Sequence, residues 1–292
     1  MVATLFIIML GVAFISNYVA TSVPQNMYNV EYAHSDIVYN QFMNIQADIN
    51  QELYTQNTFV TVYTPITAGT SGEPPFASGS GGTLSVTGYG AGTTSINICI
   101  DNNNGVGIGV AGKCKGNAGN QQIENIAEPI GDISLYSYNR YYPPQSYIYE
   151  NGAFILAQND TSAVMEAPPP ITLAVVYSST GGDHLILNIS AIQVYSNSVP
   201  YSGTSSVALG LTMKNVVSTS YNRSSDNIGS VHLTIISPYY VAWENYFNQY
   251  VQNPVFSKYI KVIPITGGVD LIFRHVLIFN LVQALVYATI EY

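Results

Sequence analysis

Residues 1–23 read MVATLFIIMLGVAFISNYVATSV, and no side chain in that stretch carries a charge. The first acidic or basic residue is Glu31, and the first basic one is Lys113. As a helix the stretch would be about 35 Å long, enough to cross a hydrocarbon core of about 30 Å. Three readings compete for it. A cleaved secretory signal should open on a basic region and close on a small-residue cleavage site. A simple membrane anchor should carry flanking Lys or Arg to set its orientation. The third reading is a processed N-terminus, whose basic leader has been removed and whose apolar segment is kept as the centre of an assembly of copies. It accounts best for the missing charges.

The rest of the composition agrees with life outside a cytoplasm. Only 9% of the residues are charged, against about 25% in an ordinary soluble protein. The surface must therefore be wetted by hydroxyls, amides and possible N-linked sugars rather than by ions. A net charge of -9 with 8 basic residues excludes the basic stripe that nucleic-acid binding needs. The 24 tyrosines suit either interfaces or cross-strand pairs. Cys99 and Cys114 flank a Gly- and Asn-rich loop. A disulfide there would stabilise the fold by about 3 kcal/mol on a loop-entropy argument. The rival, a two-cysteine metal site, has no His or further Cys nearby.

Beyond Val23 the helix is expected to continue. Pro24 removes a backbone donor, which predicts a kink or a locally melted stretch. After it, Met27, Val30, Ile37, Val38, Phe42, Ile45, Ile49 and Leu53 recur at steps of three and four, opposite Asp36, Asn40, Asp48 and Glu52. That is an amphipathic helix. Continuous to about residue 55, the rod would be about 80 Å long. His34 reads as a packing histidine, and Glu31 as a solvated residue or half of an intersubunit ion pair. From Asn57 the period becomes alternating, and TFVTVYTPI reads as a strand. Short β-rich runs ended by Asn, Gly or Pro follow, which suggests an antiparallel sandwich or jelly-roll-like head. One later helix is expected in SPYYVAWENYFNQYVQNP, with Ser237 capping, Pro238 in the first turn and Pro254 at the end. The last stretch, VDLIFRHVLIFNLVQALVYATIEY, divides about Asn280 into two apolar runs, the first interrupted by Arg274 and His275; both are too short to span a membrane and suit buried strands.

No chemistry-bearing constellation stands out. His34, His184, His232 and His275 are scattered, no G-x-S-x-G elbow is present, and neither a catalytic nor a metal nor a cofactor site is assigned. DNNNG at Asp101–Gly105 lacks the ligand spacing of a calcium loop. The glycines Gly105, Gly107, Gly109 and Gly112 precede no helical pattern and so read as turns, not a phosphate cradle. The sequon N-x-[ST] occurs at Asn159, Asn188 and Asn222, which makes these the candidate N-glycosylation sites.

With MVATLFIIMLGVAFISNYV as a charge-free helix, NVEYAHSDIVYNQFMNIQADI as its amphipathic continuation and a β-rich head, the chain resembles an archaeal type IV pilin-like protein. This superfamily includes archaeal adhesion pilins and archaellins. The resemblance implies an α+β fold: a hydrophobic helix over 1–56, then an extracellular β-rich head over 57–292 with one short additional helix. It implies removal of a basic leader, residence in the membrane before assembly, and a helical homopolymer serving adhesion. The filament core would hold Leu5, Ile8, Leu10, Val12, Phe14, Ile15, Val19 and Val23. The alternative is a membrane-anchored surface binding protein or minor accessory subunit that does not polymerise.

Overall fold

The apolar opening and its amphipathic sequel form one helix, α1, Val2–Thr55. It runs unbroken through Pro24 instead of melting there. Val23 and Met27, on either side of the proline, are both buried against the head. Packing at those two points holds the backbone helical although Pro24 has no N–H to donate. The computed structural model describes residues 2–88, 94–102, 122–158, 162–177 and 182–292.

The head is β-rich, as expected, but the described residues form three sheets, and one strand pair among them is parallel. The first sheet has the order β1 (Thr61–Thr67), β12 (Ser206–Asn222), β16 (Val276–Glu291), β10 (His184–Tyr195), β9 (Ile171–Val176). The second runs β11 (Tyr201–Gly203), β2 (Gly82–Thr87), β5 (Asp132–Ser137), β6 (Gln145–Glu150), β7 (Ala153–Ala157), β8 (Ala163–Ala167). The third runs β14 (Ile260–Ile265), β15 (Gly268–Arg274), β13 (Ile228–Ile236), β3 (Ser95–Asn102), β4 (Gln122–Pro129). The pair β10–β16 is parallel and all other pairs are antiparallel. The C-terminal apolar stretch breaks at His275, not at Asn280. His275 takes a left-handed φ of 56° between β15 and β16, and Asn280 lies inside the long strand.

Two cores share the first sheet. In the lower core, Val38, Phe42, Ile45 and Ile49 of α1 meet Ile66, Leu209 and Leu211 from the first sheet and Leu135, Tyr147 and Phe154 from the second. Helix α1 lies along β1 and β12 on one side and β6 and β7 on the other, closing the seam between the two sheets. In the upper core, the third sheet packs on the far halves of β10 and β16, joined by Ile148, Ile155 and Ala163 of the second sheet and by helix α3 (Tyr240–Gln252), which lies along β8, β14 and β15. The shared strands change face between the cores. On β10, Leu185, Leu187, Ile189 and Ala191 enter the upper core, then Ile192 and Val194 enter the lower. On β16, Phe279 and Leu281 go up, and Ala284, Val286, Ala288 and Ile290 go down. An odd-numbered step in a period of two moves every later side chain to the opposite face.

Helix α3 buries Ala242, Trp243 and Phe247. It begins at Tyr240, later than expected, and has no side-chain cap. Ser237 instead accepts from the Tyr239 N–H at 2.9 Å, within the preceding turn, and donates to Glu150 at 2.9 Å. A four-residue helix, α2 (Arg223–Asp226), follows β12. The buried Glu150 carboxyl also accepts from the Trp243 indole at 2.9 Å and so ties α3 to β6. Its burial, reinforced by the charge of Asp132, pushes its pKa up to about 8, and the bonds from Ser237 and Trp243 only partly offset this. The folded state therefore favours the neutral acid. That stabilisation is complete below the ordinary Glu pKa of about 4.3 and is lost as pH rises through about 8. The melting temperature of the head is expected to fall between pH 5 and pH 8, and Glu150→Gln to flatten that fall; thermal denaturation of both proteins across this range checks it.

Candidate functional site: a bare rod clamped to the head through Glu31

The helix is two objects joined end to end. From Leu5 to Val19 every large apolar side chain is exposed, among them Met9 at 71% and Phe14 at 75%. From Val23 onward one face is buried. Of the residues expected in a filament core, Leu5, Ile8, Leu10, Val12, Phe14, Ile15 and Val19 are open, whereas Val23 is 2% exposed and packs within its own chain. The packing boundary therefore falls near Val23, well before the end of α1. The helix is long and apolar enough to cross a membrane. Gly11 sits in mid-rod, where an added Cβ would meet no atom within 4 Å. A helical glycine costs about 1 kcal/mol relative to alanine, and nothing in the chain itself requires it there.

The rod meets the head at a collar of aromatic rings. The Tyr18 hydroxyl donates to Glu73, and its ring lies edge-on to Phe76 with centroids 5.7 Å apart. Tyr28 and Tyr32 both pack edge-to-face on Tyr142, at 5.5 and 5.7 Å. Asn26 donates to Glu73 at 3.4 Å.

Within the collar lies a buried charge. Glu31 is fully buried, not solvated as its position suggested. Its carboxylate accepts from three successive backbone N–H groups of the β5–β6 loop: Arg140 at 3.0 Å, Tyr141 at 2.7 Å and Tyr142 at 2.6 Å. The Ser80 hydroxyl donates to it as well. Successive N–H groups converging on one anion form a nest of partial positive charge. Burial alone would raise the Glu31 pKa, but these four donors outweigh it and hold the carboxyl below its ordinary value. The acid thus replaces its lost water with short charge-assisted bonds.

Above Glu31 the same helical face carries further polar anchors. His34 Nε2 lies 2.9 Å from the Thr67 carbonyl. Burial lowers the His34 pKa, which Thr67 and Glu31 only partly oppose, so the ring is a neutral Nε2–H donor. Gln41 accepts from the Thr67 N–H at 3.0 Å and donates to its hydroxyl at 3.1 Å. It therefore caps the free edge of β1, which would otherwise be open to pairing. Ser35 donates to Gln145 at 2.5 Å. Gln46 donates to the carbonyls of Gly152 and Pro168, both at 2.8 Å. Gly152 follows Asn151 in the β6–β7 turn, where both have positive φ, as a tight hairpin of this kind requires. Glu52, expected on the polar face, is 4% exposed, and its burial pushes its pKa up to about 6. The signal for Glu31 was present in the spacing: Met27, Glu31, His34, Val38, Phe42, Ile45, Ile49 and Glu52 keep one phase of three and four.

The other expected sites lie apart from the collar. Asn188 sits in a polar row across the outer face of the first sheet. Its amide donates to Thr172 at 2.8 Å, Asn280 donates to Asn188 at 2.7 Å, and Ser220 donates to Asn280 at 2.7 Å. Asn222 caps α2 and accepts from the Ser224 N–H at 3.0 Å. Asn159, Cys114 and the glycines from Gly105 to Gly112 lie outside the described residues; Cys99 is buried on β3. Of the histidines, His232 Nε2 is 3.1 Å from Asp101. Among the described residues no three His, Cys, Asp or Glu side chains are grouped to hold a metal.

Replacing Glu31 by Ala leaves a nest of N–H groups without an acceptor and is expected to destabilise the head by roughly 3 kcal/mol, with Gln costing less. Because the folded pKa is depressed, the Glu31 contribution is present above about pH 4.5 and is lost as pH falls through its lower folded value. The protection factors of the Tyr141 and Tyr142 amides, taken relative to the intrinsic exchange rate at each pH, should therefore fall on acidification in the native protein and be low at all pH values in Glu31→Ala. Compared with protein-family models, with curated proteins and with solved structures, the chain has no match.

Proposed function

We propose that the chain is the structural subunit of an extracellular filament of the archaeal type IV pilin-like kind, serving attachment to surfaces. In this reading the rods of many copies bundle at the centre and the heads form the outer wall. The observation that carries it is the contrast within α1: one face of the second half is buried in its own head, and the first half exposes all its large apolar side chains. Such a continuous apolar surface needs an occupant. Burying even about 1,000 Å² of it at about 25 cal/mol per Å² is worth about 25 kcal/mol gross, before the entropy of association is subtracted. Gly11 favours helices over lipid as that occupant, because glycines let helical backbones approach closely.

Two accessory features belong to the proposal. A Cys99–Cys114 disulfide would staple the loop between β3 and β4. Sugars would sit on Asn222 and Asn159; the Asn188 nitrogen that would carry one is bound to Thr172. The membrane-anchored alternative rests on the length and apolarity of the same helix and keeps the rod in lipid.

Electron microscopy of sheared cell-surface material is expected to show fibres containing this chain. Gly11→Leu is expected to abolish them while leaving the melting of the head unchanged, because that residue touches nothing in its own chain. A Gly11→Leu protein that still forms fibres would remove the argument from close helix packing at Gly11, and a native protein found only as single copies in lipid would favour the anchor. Peptide-level mass spectrometry is expected to show a glycan on Asn222 and a bare Asn188.

A further inference from the structure

The end of the head farthest from the rod gathers an uncommon resource for this chain, positive charge. Strand β12 passes the end of α1 at Met213, whose carbonyl accepts from the Phe59 N–H at 2.8 Å. It then continues to Asn222, about 30 Å farther at about 3.3 Å per residue. At that far pole lie Arg223, His184, His275, Arg274 and Lys258. Arg223 Nη1 is 3.3 Å from His184 Nδ1. The Leu185 N–H donates to the His275 carbonyl at 2.9 Å, and the Arg274 N–H to the Tyr259 carbonyl at 2.7 Å. The buried Tyr259 ring stands edge-on to His275, with centroids 6.3 Å apart, and Lys258 Nζ lies 4.9 Å from its centre. Lys261 pairs with Ile272 on the adjoining strands.

Arg223, Arg274, Lys258 and Lys261 are half of the 8 basic residues in a chain of net charge -9. Lys258, Lys261, Arg274 and His275 are exposed. The local acids are committed to their own chain. Asp183 pairs with Lys258 at 2.8 Å, and Asp226 accepts from the Asn222 N–H at 2.7 Å and from Ser225 at 2.9 Å. The backbone at His275 adopts a left-handed conformation that a β-carbon-bearing residue avoids at ordinary positions. Beside the cluster Val176 pairs with His184, and Tyr177, next in the chain, is 69% exposed. Three exposed cations, one of them already paired with Asp183, and one open ring are too few to track a nucleic-acid backbone. They match instead a chain that alternates flat sugar faces with spaced negative groups.

We propose that this far pole binds an acidic polysaccharide, one bearing carboxylate or sulfate groups along its length. The proposal takes its extracellular setting from the reading above and is independent of whether the rods polymerise. The test uses the full-length chain, both in detergent micelles and in any fibres obtained. It is titrated with heparin, polygalacturonate, neutral dextran and single-stranded DNA in about 50 mM salt, where ion pairing is least screened. Heparin or polygalacturonate is expected to bind in either state of assembly, dextran not at all, and DNA at least roughly tenfold more weakly. Arg274→Gln with Lys258→Gln is expected to weaken binding by at least about tenfold, whereas Lys214→Gln, midway along the head, leaves it unchanged. The proposal is overturned if neither saccharide binds, if DNA binds as tightly, or if the Lys214 variant loses as much as the pole variant. Binding by micellar protein that never forms fibres would sink the filament reading and leave this one standing.

Discussion

A carboxylate enclosed by backbone N–H groups holds the two halves of this molecule in register. Apolar packing alone would bind α1 to the head without choosing its height, since Val, Phe and Ile at steps of three and four leave a surface that can slide by a turn. The Glu31 nest removes that freedom. A buried charge displaced by one helical turn, about 5.4 Å, would lose every donor at once. The donors belong to one loop, Arg140–Tyr142, and to Ser80, so the base of the head closes around a single point of the helix. His34, Gln41 and Gln46 repeat the principle higher up, each addressing particular backbone groups of the head.

From that fixed point the rest of the architecture follows in layers. The first sheet gives its lower half to α1 and the second sheet, and its upper half to the third sheet, α3 and side chains from the other face of β6, β7 and β8. The change of face along β10 and β16 lets one pair of strands serve two cores, which is why these strands are long. Their parallel pairing requires distant stretches of chain to meet, with β11 to β15, α2 and α3 lying between them in sequence. The outer face of the same sheet is polar without being ionic: Ser220, Asn280, Asn188 and Thr172 stand in direct register across neighbouring strands and satisfy one another. This is how a chain with 9% charged residues keeps an exposed sheet wet.

Much of this was legible in residues alone, and the limits have physical causes. The helix, its amphipathic turn and the helix around Trp243 were readable because hydrophobic period is a local property. The continuation past Val23 was readable too, but the expected melting at Pro24 does not occur, because tertiary contacts at Val23 and Met27 offset proline's local cost. Glu31 and Glu52 read as surface residues because acids ordinarily are. Their spacing already put both in phase with the buried face; what it could not show is the loop, more than a hundred residues later, that supplies N–H groups to Glu31. The single parallel pair was hidden for the same reason: an alternating pattern reports which face is buried and nothing about the direction of the neighbouring strand. The far-pole cluster is drawn from α2, β10, the β15–β16 turn and the segment before β14, so no linear window contains it.

The unbroken helix and the long strands beside it also have a mechanical side. A pull applied between the rod and the opposite end of the head runs along α1, passes through the collar, and continues nearly parallel to β12, β16 and β10. The ladder bonds between those strands lie across the line of force, so they are loaded in shear and must yield together instead of unzipping one at a time. A tether built this way resists tension far better than the same sheet pulled edgewise, a useful property for any molecule held at one end and gripped at the other.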